Sequence, residues 1–181
     1  MPRSALRPCL TPTCSNRIHG YGYCADCTRR ATQSARVTAV CGPPCAGKTT
    51  YVRDQARPGE LVVDLDALYV ALGDQPYAQS AAIRPLALDA RDAILHRLES
   101  GRHELSGAWV IASAPSSHDR DRYHRLGYTV VVLLPPRSVC EERARAERPG
   151  PWLDAIDRWF GSYTPHPADR RLTLSDSDIR G

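Results

Sequence analysis

The chain has 181 residues, 42% hydrophobic and 24% charged, with a net charge of +4. That length suits one medium domain plus a small appendage. No apolar run approaches the roughly 20 residues that cross a bilayer, and "MPRSALRPCL" lacks the apolar core of a secretory signal, so a cytoplasmic location without membrane contact is expected.

Residues 1–36 are the first unit. They carry Arg3, Arg7, Arg17, Arg29, Arg30 and Arg36 against one acid, Asp26, and few aliphatics. Such a segment cannot build an ordinary core. It does contain Cys9-x4-Cys14-x9-Cys24-x2-Cys27. Four thiolates in two close pairs suit tetrahedral Zn2+, and metal binding would supply the folding energy that the missing core cannot. His19 lies between the pairs and could replace one thiolate. The alternative is four unpaired thiols in an unstructured arm. The arginines, with Tyr21 and Tyr23, suit contact with DNA phosphates and bases, so DNA is the expected partner. A scaffold or a protein contact is the other use of such an element.

At Val37 the composition changes. "RVTAV" reads as a buried strand running into "CGPPCAGKTT". Gly42-x4-Gly47-Lys48-Thr49 is the spacing of a phosphate-binding loop. The glycines let backbone N–H groups turn inward on phosphate oxygens, and the next helix adds its positive end. Gly42, Pro43, Pro44, Cys45, Ala46, Gly47, Lys48, Thr49 and Thr50 are therefore expected to wrap the phosphates of ATP. Lys48, the one lysine in the chain, is expected on the β- and γ-phosphates, and the Thr49 hydroxyl on Mg2+.

"KTTYVRDQA" then reads as a helix, and "ELVVDLD" as a second buried strand ending in two acids. Asp64 and Asp66 follow Thr49 by 15 and 17 residues. Strand alternation would put both carboxylates on one side if the strand continues that far. Asp66 is the expected general base toward an acceptor hydroxyl, with Asp64 supporting it. The competing use is capping of a helix that starts near Ala67. "YAQSAAIRPLALDARDAILHRLES" is mostly helical, with Pro85 as a break or first-turn residue. "AWVIASA" is a third strand with no acid at its end, which argues against a motor ATPase. "SSHDRDRYHRLG" is a short helix, capped by Ser116 or Ser117 and stopped by Gly127. Its Arg120 and Arg122 are secondary candidates for gripping phosphate.

"YTVVVLLP" is a fourth strand. "RSVCEERARAERP" carries Arg137, Arg143, Arg145 and Arg148. Arginines on a mobile cover neutralise a transferring phosphoryl group, and Arg143 and Arg148 are the expected pair. The competing reading is a solvated helix with pairs such as Glu141 with Arg145. "PWLDAIDRWFGSY" is an amphipathic helix with Trp152, Ile156, Trp159 and Phe160 on one side. The polar stretch 164–181 is expected to attach loosely. Cys41 is expected as a small buried hydrophobe, and Cys45 as a thiol with its pKa lowered by the helix N-terminus. Neither these two nor Cys140 has metal-ligand spacing.

Strands alternating with helices predict an α/β fold with a parallel sheet of four to five strands covered on both faces. The units are a four-cysteine zinc element at 1–36, a P-loop kinase domain at 37–163 and a tail at 164–181.

"GPPCAGKTTYV", "ELVVDLDALYVAL", "AWVIASAPS", "RLGYTVVVLLPP", "CEERARAERP" and "AIDRWFGSY" together resemble the small P-loop kinases of actinobacterial phages. These are similar to the polynucleotide-kinase-like group and to phage kinases that phosphorylate 5-hydroxymethyluracil within DNA. The resemblance covers about residues 37–163. It implies use of ATP with Mg2+, Asp66 as base, and transfer of the γ-phosphate to a hydroxyl. The front segment is similar to the zinc element of phage HNH endonucleases, whose last ligand is often His where this chain has Cys27. No HNH core follows. The expected acceptor is the hydroxymethyl of 5-hydroxymethyluracil in DNA. The alternatives are a 5′-hydroxyl polynucleotide kinase, a nucleoside or nucleotide kinase, or a DNA-binding ATPase without phosphotransfer. The acceptor pocket is expected from segments such as residues 73–92.

Overall fold

A computed structural model describes residues 6–10, 14–19, 24–27, 36–101, 103–148 and 151–173. Arg3, Tyr21, Tyr23, Arg29 and Arg30 lie outside the described residues.

At the front, β1 (Leu6–Pro8) and β2 (Arg17–His19) form an antiparallel pair with Leu6 opposite His19. The main unit begins with β3 (Arg36–Cys41) and continues through α1 (Lys48–Gln55), β4 (Leu61–Val63), α2 (Leu65–Ala71) and α3 (Arg84–Glu99). It proceeds through β5 (Gly107–Ala112), α4 (Ser117–Arg125), β6 (Thr129–Leu133), α5 (Arg137–Glu147), α6 (Trp152–Ser162) and β7 (Arg170–Leu172).

The sheet runs in the order β4-β5-β3-β6-β7, and every pairing is parallel. Parallel strands need crossovers, and helices supply them on both faces. The pleat sorts the side chains accordingly. Ala39, Cys41, Val130 and Val132 pack with Trp159 of α6 on one face. Val40, Val131 and Leu133 pack with Ala46 and Val52 of α1 on the other. The register Ala39–Val130 and Val40–Val131 keeps both sets aligned across β3 and β6. This is the α/β arrangement expected from the alternating strands and helices, with five strands.

Local signals place the helix ends. Ser116 and Asp119 form a reciprocal capping box at the start of α4, and Gly127, at φ +76°, takes up the left-handed turn after it. Pro85 sits in the first turn of α3, where its missing N–H leaves no bond unmade.

Two segments differ from expectation. β4 stops at Val63, so Asp64 and Asp66 do not continue a strand. Asp64 is the N-cap of α2, its side chain accepting the Asp66 N–H at 3.0 Å, and Asp66 lies in the first helical turn. Residues 164–172 are also not loosely attached. β7 extends the sheet beside β6, and the Leu134 N–H donates to the Leu172 carbonyl at 2.9 Å.

Arg120 accounts for this attachment. It is fully buried and does not face the cleft as a phosphate grip. Its Nε donates to Asp169 at 2.8 Å, and Nη1 donates to the carbonyls of Ala114, Pro115 and Ser116 at 2.7, 2.8 and 3.0 Å. Nη2 donates to the Thr164 carbonyl. A buried guanidinium must satisfy all its donors, and here the segment before β7 supplies the anion and one carbonyl. Asp169→Ala should leave that charge uncompensated and cost about 3–5 kcal/mol, read as a fall in Tm of about 10 °C. An unchanged thermal melt would contradict the assignment.

Candidate active site

The strand ends converge on one cleft of about 1210 Å3, lined by residues 44–51, Asp64, Asp66, Tyr77, Gln79, Arg143, Arg148 and Trp152 among others. Open parallel sheets place ligands at this edge, beyond the carboxyl ends of their strands.

Its floor is the loop after β3. Gly42 sits at φ +151°, and a Cβ added there would lie 2.7 Å from the Leu133 carbonyl oxygen. Only glycine lets β3 turn so close to β6. Gly47, at φ +83°, is the N-cap of α1. The loop between them presents the start of α1, whose free N–H groups and dipole favour an anion.

Lys48 Nζ donates to the carbonyls of Gly42 and Pro43 at 2.9 and 2.7 Å. Burial, and then the nearby Arg148 charge, lower its pKa to about 8. Thr49 Oγ1 donates to Asp64 Oδ2 at 3.0 Å. Asp64 therefore holds the hydroxyl expected to ligate magnesium, while its other oxygen caps α2. Asp66 is separate from that pair, and Oδ1 accepts from Gln79 Nε2 at 3.0 Å. The two aspartates still face one cleft because a cap residue and the second helical residue point to the same end of α2.

The arginines sort clearly. Arg143 Nη1 donates to the Cys45 carbonyl at 3.3 Å and lies over Gly47. Arg148 lies against the rings of Tyr77 and Trp152, 3.9 and 4.7 Å from their centroids. Arg137 and Arg145 instead pair with Glu141 at 2.7 and 3.3 Å, and Arg137 also pairs with Asp157 at 2.9 Å. That surface network is the solvated-helix alternative, and it holds for these two residues. Arg122 lines the cleft while paired with Glu99 at 2.6 Å.

Cys41 is buried, as expected, and burial pushes its thiol up to about 12. The expectation for Cys45 is reversed. Burial raises its pKa and outweighs the nearby Arg148 and Lys48 charges, and Cys45 packs with Cys140, Ala144 and Ile156. Gln79 is a site residue that the sequence does not single out. Its only signal there is its place inside the segment 73–92.

The loop glycines, Lys48, Thr49 and the two acids fit a magnesium-bound nucleoside triphosphate. The N–H groups at the start of α1 and the Lys48 ammonium are the donors that phosphate oxygens require. At the front, ligand atoms of Cys9, Cys14, Cys24 and Cys27 all lie within 4.8 Å of one another. Cys14 and Cys24 Sγ are 3.7 Å apart, close to the edge of about 3.8 Å for a tetrahedron with 2.3 Å Zn–S bonds. The N–H of Cys24 donates to Cys9 Sγ at 3.2 Å, and that of Cys27 to Cys24 Sγ at 3.4 Å. These donors suit sulfur carrying negative charge. The four thiols are compatible with a metal centre.

No family model and no curated protein matches the chain. Solved structures do. A chain of the Pnkp1/Rnl/Hen1 RNA repair complex aligns with TM-score 0.53 and 16% identity over 71% of this chain. The present chain spans 43% of that polypeptide. A gluconokinase from Sinorhizobium meliloti 1021 aligns with TM-score 0.51 and 20% identity, covering 78% of this chain and 82% of its own. The fold is that of a P-loop kinase. Among the described residues, no helix is long and apolar enough to cross a membrane.

The lowered Lys48 pKa gives a pH signature. A triphosphate favours charged Lys48, so binding above about pH 8 requires uptake of a proton. ATP affinity should fall as pH rises through that value and level off below it. Calorimetry in buffers of different ionisation heat should detect the proton. A flat affinity profile across this range, with no proton uptake, would contradict the assignment.

Proposed function

We propose that the chain is an ATP-dependent kinase that transfers a γ-phosphoryl group to a hydroxyl on DNA, most specifically the hydroxymethyl of 5-hydroxymethyluracil. The observation that carries the phosphotransfer reading is the division of labour between the two acids. Asp64 is fixed to Thr49, whereas the Asp66 carboxylate takes an exchangeable side-chain amide from Gln79. A motor would need its second acid after β5, and residues 108–116 contain none.

Magnesium, when bound, would neutralise charge shared between the β- and γ-phosphates. The loop N–H groups and Lys48 hold the phosphates in place. Thr49 and Asp64 would hold the metal. Asp66 accepts the proton of the acceptor hydroxyl. Arg143 and Arg148 face charge that builds on the transferring oxygens.

The DNA assignment rests on the front element and on the resemblance carried by the sequence. Arg7, Arg17 and Arg36 are exposed, which suits phosphate contact. We assign zinc to Cys9, Cys14, Cys24 and Cys27 on their mutual distances. A 5′-hydroxyl end is the second reading, favoured by the likeness to a chain of an RNA repair complex.

Incubation with labelled ATP and DNA containing 5-hydroxymethyluracil should label the DNA. Asp66→Asn should lower that transfer by about 10^2–10^4 while leaving ATP affinity intact. Labelling of free nucleosides alone, or full activity of Asp66→Asn, would contradict the proposal. Metal analysis should find one zinc per chain, lost in a Cys14→Ser, Cys27→Ser double variant. A zinc content unaffected by the two substitutions would remove the metal assignment.

A further inference from the structure

Residues 74–80 cross the acceptor side of the cleft in an unusual conformation. Tyr77 and Gln79 have φ of +62° and +49°, the left-handed region that side chains other than glycine rarely occupy. Asp74 holds the loop in this form. Its carboxylate accepts the Ser80 N–H at 2.8 Å, the Ser80 hydroxyl at 3.0 Å and the Gln75 N–H at 2.9 Å. Strain maintained by surrounding bonds is common at ligand clamps.

The loop presents two side chains to the cleft. Gln79 donates to Asp66 Oδ1, the bond an acceptor hydroxyl must make before transfer. Tyr77 meets Trp152, at the start of α6, with ring centroids 6.3 Å apart and planes at 84°. The two rings make an open corner. The flat guanidinium of Arg148 lies in it, against both rings. A nucleobase is also flat, offers a π face to such rings, and stacks on them whatever its identity.

We infer that Tyr77 and Trp152 form a nucleobase-stacking subsite for the phosphoryl acceptor, in which Gln79 and Arg148 hold the places of its hydroxyl and its base. This rests on the kinase reading for the role of Asp66, but the stacking corner can be tested without it. The acceptor base displaces the guanidinium from the rings. Arg148 is then free to turn toward the phosphates, where its charge is already felt by Lys48. Acceptor binding would thereby complete the arginine cover. A sugar lacking a base would meet neither ring and would leave Arg148 where it is.

The test combines binding with kinetics on the full chain. A single-stranded oligonucleotide carrying 2-aminopurine reports stacking by fluorescence quenching. It should be quenched by the wild type and by Tyr77→Phe, and much less by Tyr77→Ala and Trp152→Ala. In transfer assays the two alanine variants should raise the acceptor KM about tenfold and leave the ATP KM unchanged. Tyr77 is an exposed loop residue, so its alanine variant stays informative if Trp152→Ala fails to fold. An acceptor KM unchanged in Tyr77→Ala would overturn the subsite while leaving the kinase standing. Quenching that depends on Tyr77 without any phosphotransfer would support the subsite and remove the kinase. Quenching that is absent or independent of Tyr77, in a chain that transfers no phosphate, would overturn both.

Discussion

The loop after β3 can form only because Gly42 has no side chain to meet the Leu133 carbonyl 2.7 Å away. That close approach sets the floor of the cleft beside the end of β6. The next residue, Leu134, is bonded to Leu172 and so to β7. Asp169 anchors the segment before β7 to the buried Arg120, which also gathers the carbonyls at the end of β5. Ser113 closes the circuit, since its carbonyl accepts both the Gly42 N–H at 3.4 Å and the Trp159 indole at 2.9 Å. The loop is held by strands on both sides and by a helix beneath it. Residues far apart in sequence are thus part of one support.

Three charged groups in the cleft rest on neutral partners. Lys48 is bonded to loop carbonyls, Arg148 lies on aromatic rings and Asp66 takes an amide. Buried ion pairs in the same places would be expensive to separate. Neutral hydrogen bonds exchange at a net cost of about 1 kcal/mol each. That arrangement suits the proposed kinase site, whose internal partners would give way to phosphates and an acceptor. The depressed pKa of Lys48 comes from its burial and from the nearby Arg148 charge.

The features legible in the sequence are those set by local rules. The glycine spacing of the loop, the strand runs, the Ser116 cap and the paired cysteines each follow from short-range geometry. Asp64 and Asp66 stand out as a pair, but the chain reaches their placement through a helix cap rather than a longer strand. What is not legible depends on distant partners. "RRL" at 170–172 has no strand signature of its own and becomes a strand because β6 leaves an edge beside it. Arg120 sits in a very polar helix and looks solvated until Asp169, 49 residues on, is brought against it. Tyr77 and Gln79 belong to no motif, and their placement comes from a backbone conformation that composition does not reveal. Cys45 sits in the loop, but its burial beside Cys140 is set by the packing of α5 and α6.

The cleft is proposed to deliver a phosphoryl group to a hydroxyl rather than to water. Mass spectrometry of DNA, RNA and nucleoside acceptors incubated with the chain, ATP and Mg2+ tests this most directly. One added phosphoryl group is expected on DNA containing 5-hydroxymethyluracil, located on the modified base. ATP hydrolysis to free phosphate, with every acceptor unchanged in mass, would contradict it.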